Sequence, residues 1–102
     1  MALANTVVGL TDTTIFTASG TDGNAGVSIV LYNSHSSAVE VTANARPGGE
    51  AVGLANTLFK KSIPAGDSFV FESKLLLANT DVVSAKADVD AVVAATLSQL
   101  EL

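Results

Sequence analysis

Few side chains here are equipped for chemistry, and they are scattered. The single histidine, His35, stands between Ser34 and Ser36. A serine nucleophile needs a histidine base within hydrogen-bond reach and a carboxylate to orient that base. Neighbours on one short loop cannot converge in that way, so His35 reads as a solvated loop residue. A pH-sensing role would need a charged partner, and none is adjacent. Thr21-Asp22-Gly23-Asn24 has the oxygen-rich look of a calcium loop. Such a loop places ligands at alternate positions and closes with a bidentate acid. Ala25 and Val27 stand where ligands are needed, which favours a glycine-assisted turn. Asp88 and Asp90 are spaced to share a cation, yet two exposed acids on a turn is the commoner arrangement. Pro47-Gly48-Gly49 precedes no lysine–serine element and no helix, so it does not form a phosphate cradle. Glycoside hydrolysis requires two carboxyls facing one cleft. No pair is marked by flanking aromatics, and without tryptophan a sugar-stacking platform is poorly supplied. The sequence thus predicts no catalytic, cofactor-binding or metal-binding residue, no cofactor, and a protein that is not an enzyme.

Composition points the same way. The 102 residues fit one domain. Apolar residues make up 48%, but only four phenylalanines and one tyrosine supply aromatic bulk. Alanine and valine dominate, which suits a thin core between two packed sheets and leaves apolar surface for a partner. Ten acidic residues against five basic ones give a net charge of −5. Arg46, Lys60, Lys61, Lys74 and Lys86 form no stripe that could track a phosphate backbone, so no nucleic acid is expected as partner. An anionic membrane surface is not expected as partner on the same ground. Without cysteine there are no disulfide staples and no thiolate chemistry. No secretory-signal pattern opens the sequence. No apolar run approaches the roughly 20 residues of a membrane-spanning helix.

The elements that must position these residues are strands. Residues 26–32 alternate, with Val27, Ile29 and Leu31 on one face. A polar loop, residues 33–37, leads to a second alternating run, 38–43, with Val39 and Val41 inward. Two such runs around a short loop predict a β-hairpin. Residues 44–56 carry Pro47, Gly48, Gly49 and Gly53; they either take the chain to a second sheet or project as a surface loop. Residues 57–63 read as a strand and Pro64–Gly66 as a turn, with Pro64 at its second position and Gly66 at its fourth. Residues 68–72 return as a strand with Phe69 and Phe71 on one face. Lys60 and Lys61 point to opposite sides of their strand, so one lies inward or the strand is an edge, where lysine guards against uncontrolled pairing. Residues 74–78 form a short strand or a single turn. Residues 82–87 and 91–100 predict a C-terminal hairpin. A helix over 86–102, capped by Asp88, is the rival for the tail; Val89, Val92, Val93 and Thr96 favour the strand.

The start of the chain is read as an N-terminal arm or first strand, residues 1–12, ahead of a single sandwich domain, residues 13–102. An arm would order only against a neighbour, and its loss, residues 1–11, would leave the fold intact. The tetrapeptide Leu-Ala-Asn-Thr begins at Leu3, Leu54 and Leu77. Its unequal spacing rules out a solenoid, and the reading is of leucine–alanine strand ends meeting asparagine turns. The fold class is therefore all-β, a small antiparallel β-sandwich, immunoglobulin-like or jelly-roll-like.

The run Leu58-Phe59-Lys60-Lys61-Ser62-Ile63-Pro64-Ala65-Gly66-Asp67-Ser68-Phe69-Val70-Phe71 resembles a recurrent segment of small virion proteins of tailed bacteriophages. In that family such a turn precedes an aromatic strand. A stretch like 76–87 follows, with an aspartate at the position of Asp81, and a last strand like 92–102 closes the chain. Thr14-Ile15-Phe16-Thr17-Ala18 and the 27–41 region match as well. The resemblance implies a virion structural protein. Its leading form is a capsid decoration or cement protein on the outer capsid surface, made in the host cytoplasm. The major capsid protein would be its partner, and it would self-associate as a homotrimer. Contact would fall on the arm, at Ala2, Leu3, Val7, Val8 and Leu10. Residues 45–53 have no counterpart in the family pattern. The alternatives are a tail-, neck- or fibre-associated virion protein, or a host-glycan-binding module using loops 33–37 and 44–56.

Overall fold

The computed structural model describes residues 2–102, a slab 42 × 27 × 19 Å. Its least dimension fits two β-layers about 10 Å apart with their outer side chains. Nine strands build it: β1 (Ala2–Val8), β2 (Thr13–Thr17), β3 (Asn24–Asn33), β4 (Val39–Arg46), β5 (Thr57–Ile63), β6 (Ser68–Phe71), β7 (Leu75–Leu77), β8 (Val82–Ala87) and β9 (Val93–Glu101). One sheet has the order β1-β9-β3-β6, with β7 also on β3; the other has the order β2-β8-β4-β5. All pairings are antiparallel. This is a small β-sandwich, and the tail is strand.

The two expected hairpins do not form. β3 and β4 lie in different sheets, as do β8 and β9. Alternation with the apolar side inward is satisfied equally by two strands pairing in one sheet and by two strands facing each other across the core. The loops decide. The fully buried Asn33 side chain turns the chain across the core: its nitrogen donates to the carbonyls of Ser37, Ile63 and Pro64, and its oxygen accepts from the His35 amide. At the other crossing, the Asp88 amide donates to the Glu40 carbonyl and its carboxylate accepts from the Glu40 amide. Residues 47–56 join two neighbouring strands of the same sheet, β4 and β5, so they project as a surface loop.

The core is small and branched. Val8, Ile29, Leu31, Val39, Val41, Ile63, Val83, Val93 and Leu97 are fully buried, with Ala43, Ala85, Ala87 and Ala95 between them. Val27 departs from the expected inward face. The register slips between Gly26 and Ser28 where β3 meets β9, and this bulge turns Val27 outward. Phe59 of β5 packs edge-on against Phe69 of β6 and tilted against Phe71, each at 5.1 Å between centroids, closing one side of the sandwich. β5 is an edge, so both lysines stay exposed, and the Lys61 ammonium lies 5.5 Å from the centre of the Phe69 ring. The turn before β6 sits one residue later than expected: the Asp67 amide donates to the Pro64 carbonyl, and Gly66 takes φ +68° at the third position.

Leu-Ala-Asn-Thr adopts three structures. It is mid-strand in β1, a 3-10 turn at Leu54–Asn56 that leads into β5, and the end of β7 with its following turn. Only the last fits a strand end meeting an asparagine turn. Context overrides a four-residue preference.

Candidate functional site

Of the residues first considered for chemistry, Ser34, Asn24 and Asp88 have side chains engaged in the scaffold. The Ser34 hydroxyl donates to the Val92 carbonyl at 2.7 Å, which directs its proton away from His35. The Asn24 oxygen accepts from the Ser19 amide, and its nitrogen donates to Gln99. Gly23 holds φ +75°, and a Cβ there would collide with the Leu77 carbonyl, so this turn is built for close backbone approach. Among the described residues no group of three or more His, Asp or Glu side chains gathers in metal-binding fashion.

The long loop is held by three polar groups. Asn44 donates to Asn56 at 2.9 Å, and Asn56 in turn ties down the Ala51 carbonyl and the Gly53 amide. Arg46 reaches Ser84, the carbonyls of Gly49 and Glu50, and Asp12 at 3.3 Å. Asp81 accepts from the amides of Gly48 and Ala78, both at 2.8 Å. The aspartate singled out by the family resemblance is thus a clasp between two loops. Beside this loop an open groove of about 570 Å³ runs over the second sheet, with Leu10, Glu40, Thr42, Val52, Leu54 and Lys60 among its lining residues. Loops 33–37 and 47–56 leave β4 from opposite ends, so they do not combine into one glycan site.

The surface that stands out is the outer face of the five-stranded sheet. An antiparallel sheet with one solvated side ordinarily alternates apolar-in and polar-out. The pairings place Leu3, Asn5 and Val7 of β1 beside Ser98, Thr96 and Ala94 of β9. They set Val30 and Tyr32 of β3 beside Val70 and Ser68 of β6, and Ala25 beside Leu76 of β7. Leu76 is 75% exposed, Leu3 65%, Val70 47% and Tyr32 45%. Across all five strands the single charged residue is Glu101, at the last position of β9. Glu40, Arg46, Lys60, Lys61 and Lys86 all sit on strands of the other sheet. The sandwich therefore has one charged side and one uncharged, largely apolar side, the kind of exposed patch that marks an interaction surface.

The expected contact residues divide. Ala2, Leu3 and Val7 lie exposed on β1, with Leu3 and Val7 on this outer face. Val8 is fully buried in the core and unavailable to a partner. Leu10 is exposed but belongs to the groove over the opposite sheet. Val27, Val30, Tyr32, Val70, Leu76 and Leu100 were not anticipated. A signal for them existed: the segments that became β3, β6, β7 and β9 carry no charge before Glu101, whereas each strand pairing with β4 carries at least one lysine. No family model matches the chain, and no curated protein matches it.

Proposed function

We propose that this chain is a non-enzymatic structural component of a tailed-phage particle. In this reading it is a capsid decoration protein that lays the outer face of its five-stranded sheet on the major capsid protein. The observation that carries the reading is the uncharged, apolar character of that face on a chain of net charge −5. Isolated apolar side chains on a surface need no explanation, but a whole sheet face without charge does. Many copies on a repeating shell would add their individually modest contacts through multivalency. Further support comes from the resemblance of Ile63-Pro64-Ala65-Gly66-Asp67 and Asp81 to a segment of small phage virion proteins.

The test is mass spectrometry of gradient-purified phage particles encoding this chain, followed by antibody labelling under the electron microscope. Label over the head is the expected result. Label confined to the tail or neck would keep the structural role and move its place. Absence from the particles would overturn the proposal.

A further inference from the structure

We infer that the free edge of β1 pairs with β1 of a second copy of this chain, antiparallel, with the two-fold axis passing at Asn5. The two five-stranded sheets then become one continuous sheet.

Exposed sheet edges invite pairing, and proteins normally guard them with lysines, bulges, short strands or breaks. Three edges of this sandwich carry such guards. β5 has Lys60 and Lys61. β2 is five residues long and slips register between Thr14 and Phe16. β6 and β7 are four and three residues long and are separated by Glu72-Ser73-Lys74. β1 has none. It runs seven residues in unbroken register against β9, and the first charged side chain of the sequence is Asp12. Ala2, Leu3, Asn5 and Val7 are exposed along it.

The pattern of β1 is also self-complementary. Read outward from Asn5, Ala4 answers Thr6 and Leu3 answers Val7. An antiparallel pair centred on Asn5 sets Leu3 against Val7 of the other copy twice and joins the two asparagines at the centre. Such cross-strand apolar and polar pairs are what stabilise a sheet. Any other partner strand would have to match this pattern, whereas a second copy matches it by symmetry. Charge agrees: two chains of net charge −5 repel, and the contact runs along a strand with no charged side chain. An edge meeting its own equal is an isologous contact that closes at two copies. A three-fold ring would need β1 to meet a different edge, and each of those is guarded. The inference stands on the edge alone and does not depend on the particle role.

Because the chain lacks cysteine, single cysteines report the register without background. In the paired edge the two Asn5 residues face each other with Cβ atoms about 5 Å apart. The two Leu3 residues lie roughly 14 Å apart, four residues along the strand, beyond disulfide reach. With oxidised glutathione, Asn5→Cys is expected to cross-link nearly completely into a two-chain species. Leu3→Cys is expected to give none with itself, but to cross-link when mixed with Val7→Cys. Light scattering on wild-type protein is expected to read twice the 10.3 kDa chain mass. Asn5→Lys, which sets two lysines face to face, is expected to halve that mass while the strand signal in circular dichroism persists. A wild-type monomer at tens of micromolar, a three-chain mass, or cross-linking of Leu3→Cys in preference to Asn5→Cys would each overturn the inference.

Discussion

The Asn33 side-chain nitrogen donates to the Ile63 carbonyl at 2.9 Å, linking the end of β3 to the end of β5 across the two sheets. The same amide serves Ser37, Pro64 and the His35 amide, so one fully buried residue stitches two crossings together. Replacing it leaves a buried carbonyl unpartnered. Asn33→Ala is expected to destabilise the fold by about 2–3 kcal/mol. On a domain of this size that lowers the melting temperature by roughly 10–20 °C, measurable by calorimetry.

β1 is part of the sandwich. It pairs along its length with β9 and contributes the fully buried Val8. This fits the first-strand alternative for residues 1–12 and argues against removing residues 1–11 without harm. Their deletion is expected to abolish cooperative unfolding, and Val8→Ala alone to cost about 2 kcal/mol in urea denaturation. A truncated chain that melts as the full chain does would show that β1 only rests on its neighbour.

Asp81 accepts two backbone amides from two different loops, Gly48 and Ala78. Asp81→Ala is expected to cost about 1–2 kcal/mol, discounted for its partial exposure. Hydrogen exchange is the sharper readout: the amides of Gly48 and Ala78 are expected to exchange faster while those of β3 and β9 are unchanged.

Thr80 holds φ +77°, a conformation that costs a β-branched residue about 1–2 kcal/mol, and its side chain is exposed. Glycine removes that strain at an entropic cost of roughly 0.5–1 kcal/mol. Thr80→Gly is therefore expected to raise the melting temperature by a few degrees, against the usual direction of a glycine substitution.

Much of the fold was legible in the residues. The runs that became β5 and β8 were read at their observed ends, because alternation and flanking turn residues bound them on both sides. Pairing was not legible. Val39 and Val41 point inward whether β4 lies beside β3 or opposite it, and the Asn33 network that turns the chain across the core joins distant segments. The bulge that turns Val27 outward has one mark in the sequence, Gly26 inside a strand pattern, but Gly26-Val27-Ser28 continues the alternation and masks it. The candidate surface was half visible. Leu3 and Val7 were named, but Val70 and Leu76 join them only because β6 and β7 both pair with β3, a relation between distant segments.

The central claim is that the uncharged sheet face makes the contact, and co-sedimentation with shells of the same phage lacking this chain tests it most directly. Wild-type protein and the opposite-face variant Lys60→Ala are expected to pellet with the shells equally. The double variant Val70→Asp/Leu76→Asp, exposed at both positions and so able to fold, is expected to bind at least tenfold more weakly. Equal binding by that double variant, or wild-type protein left wholly in the supernatant, would contradict the account.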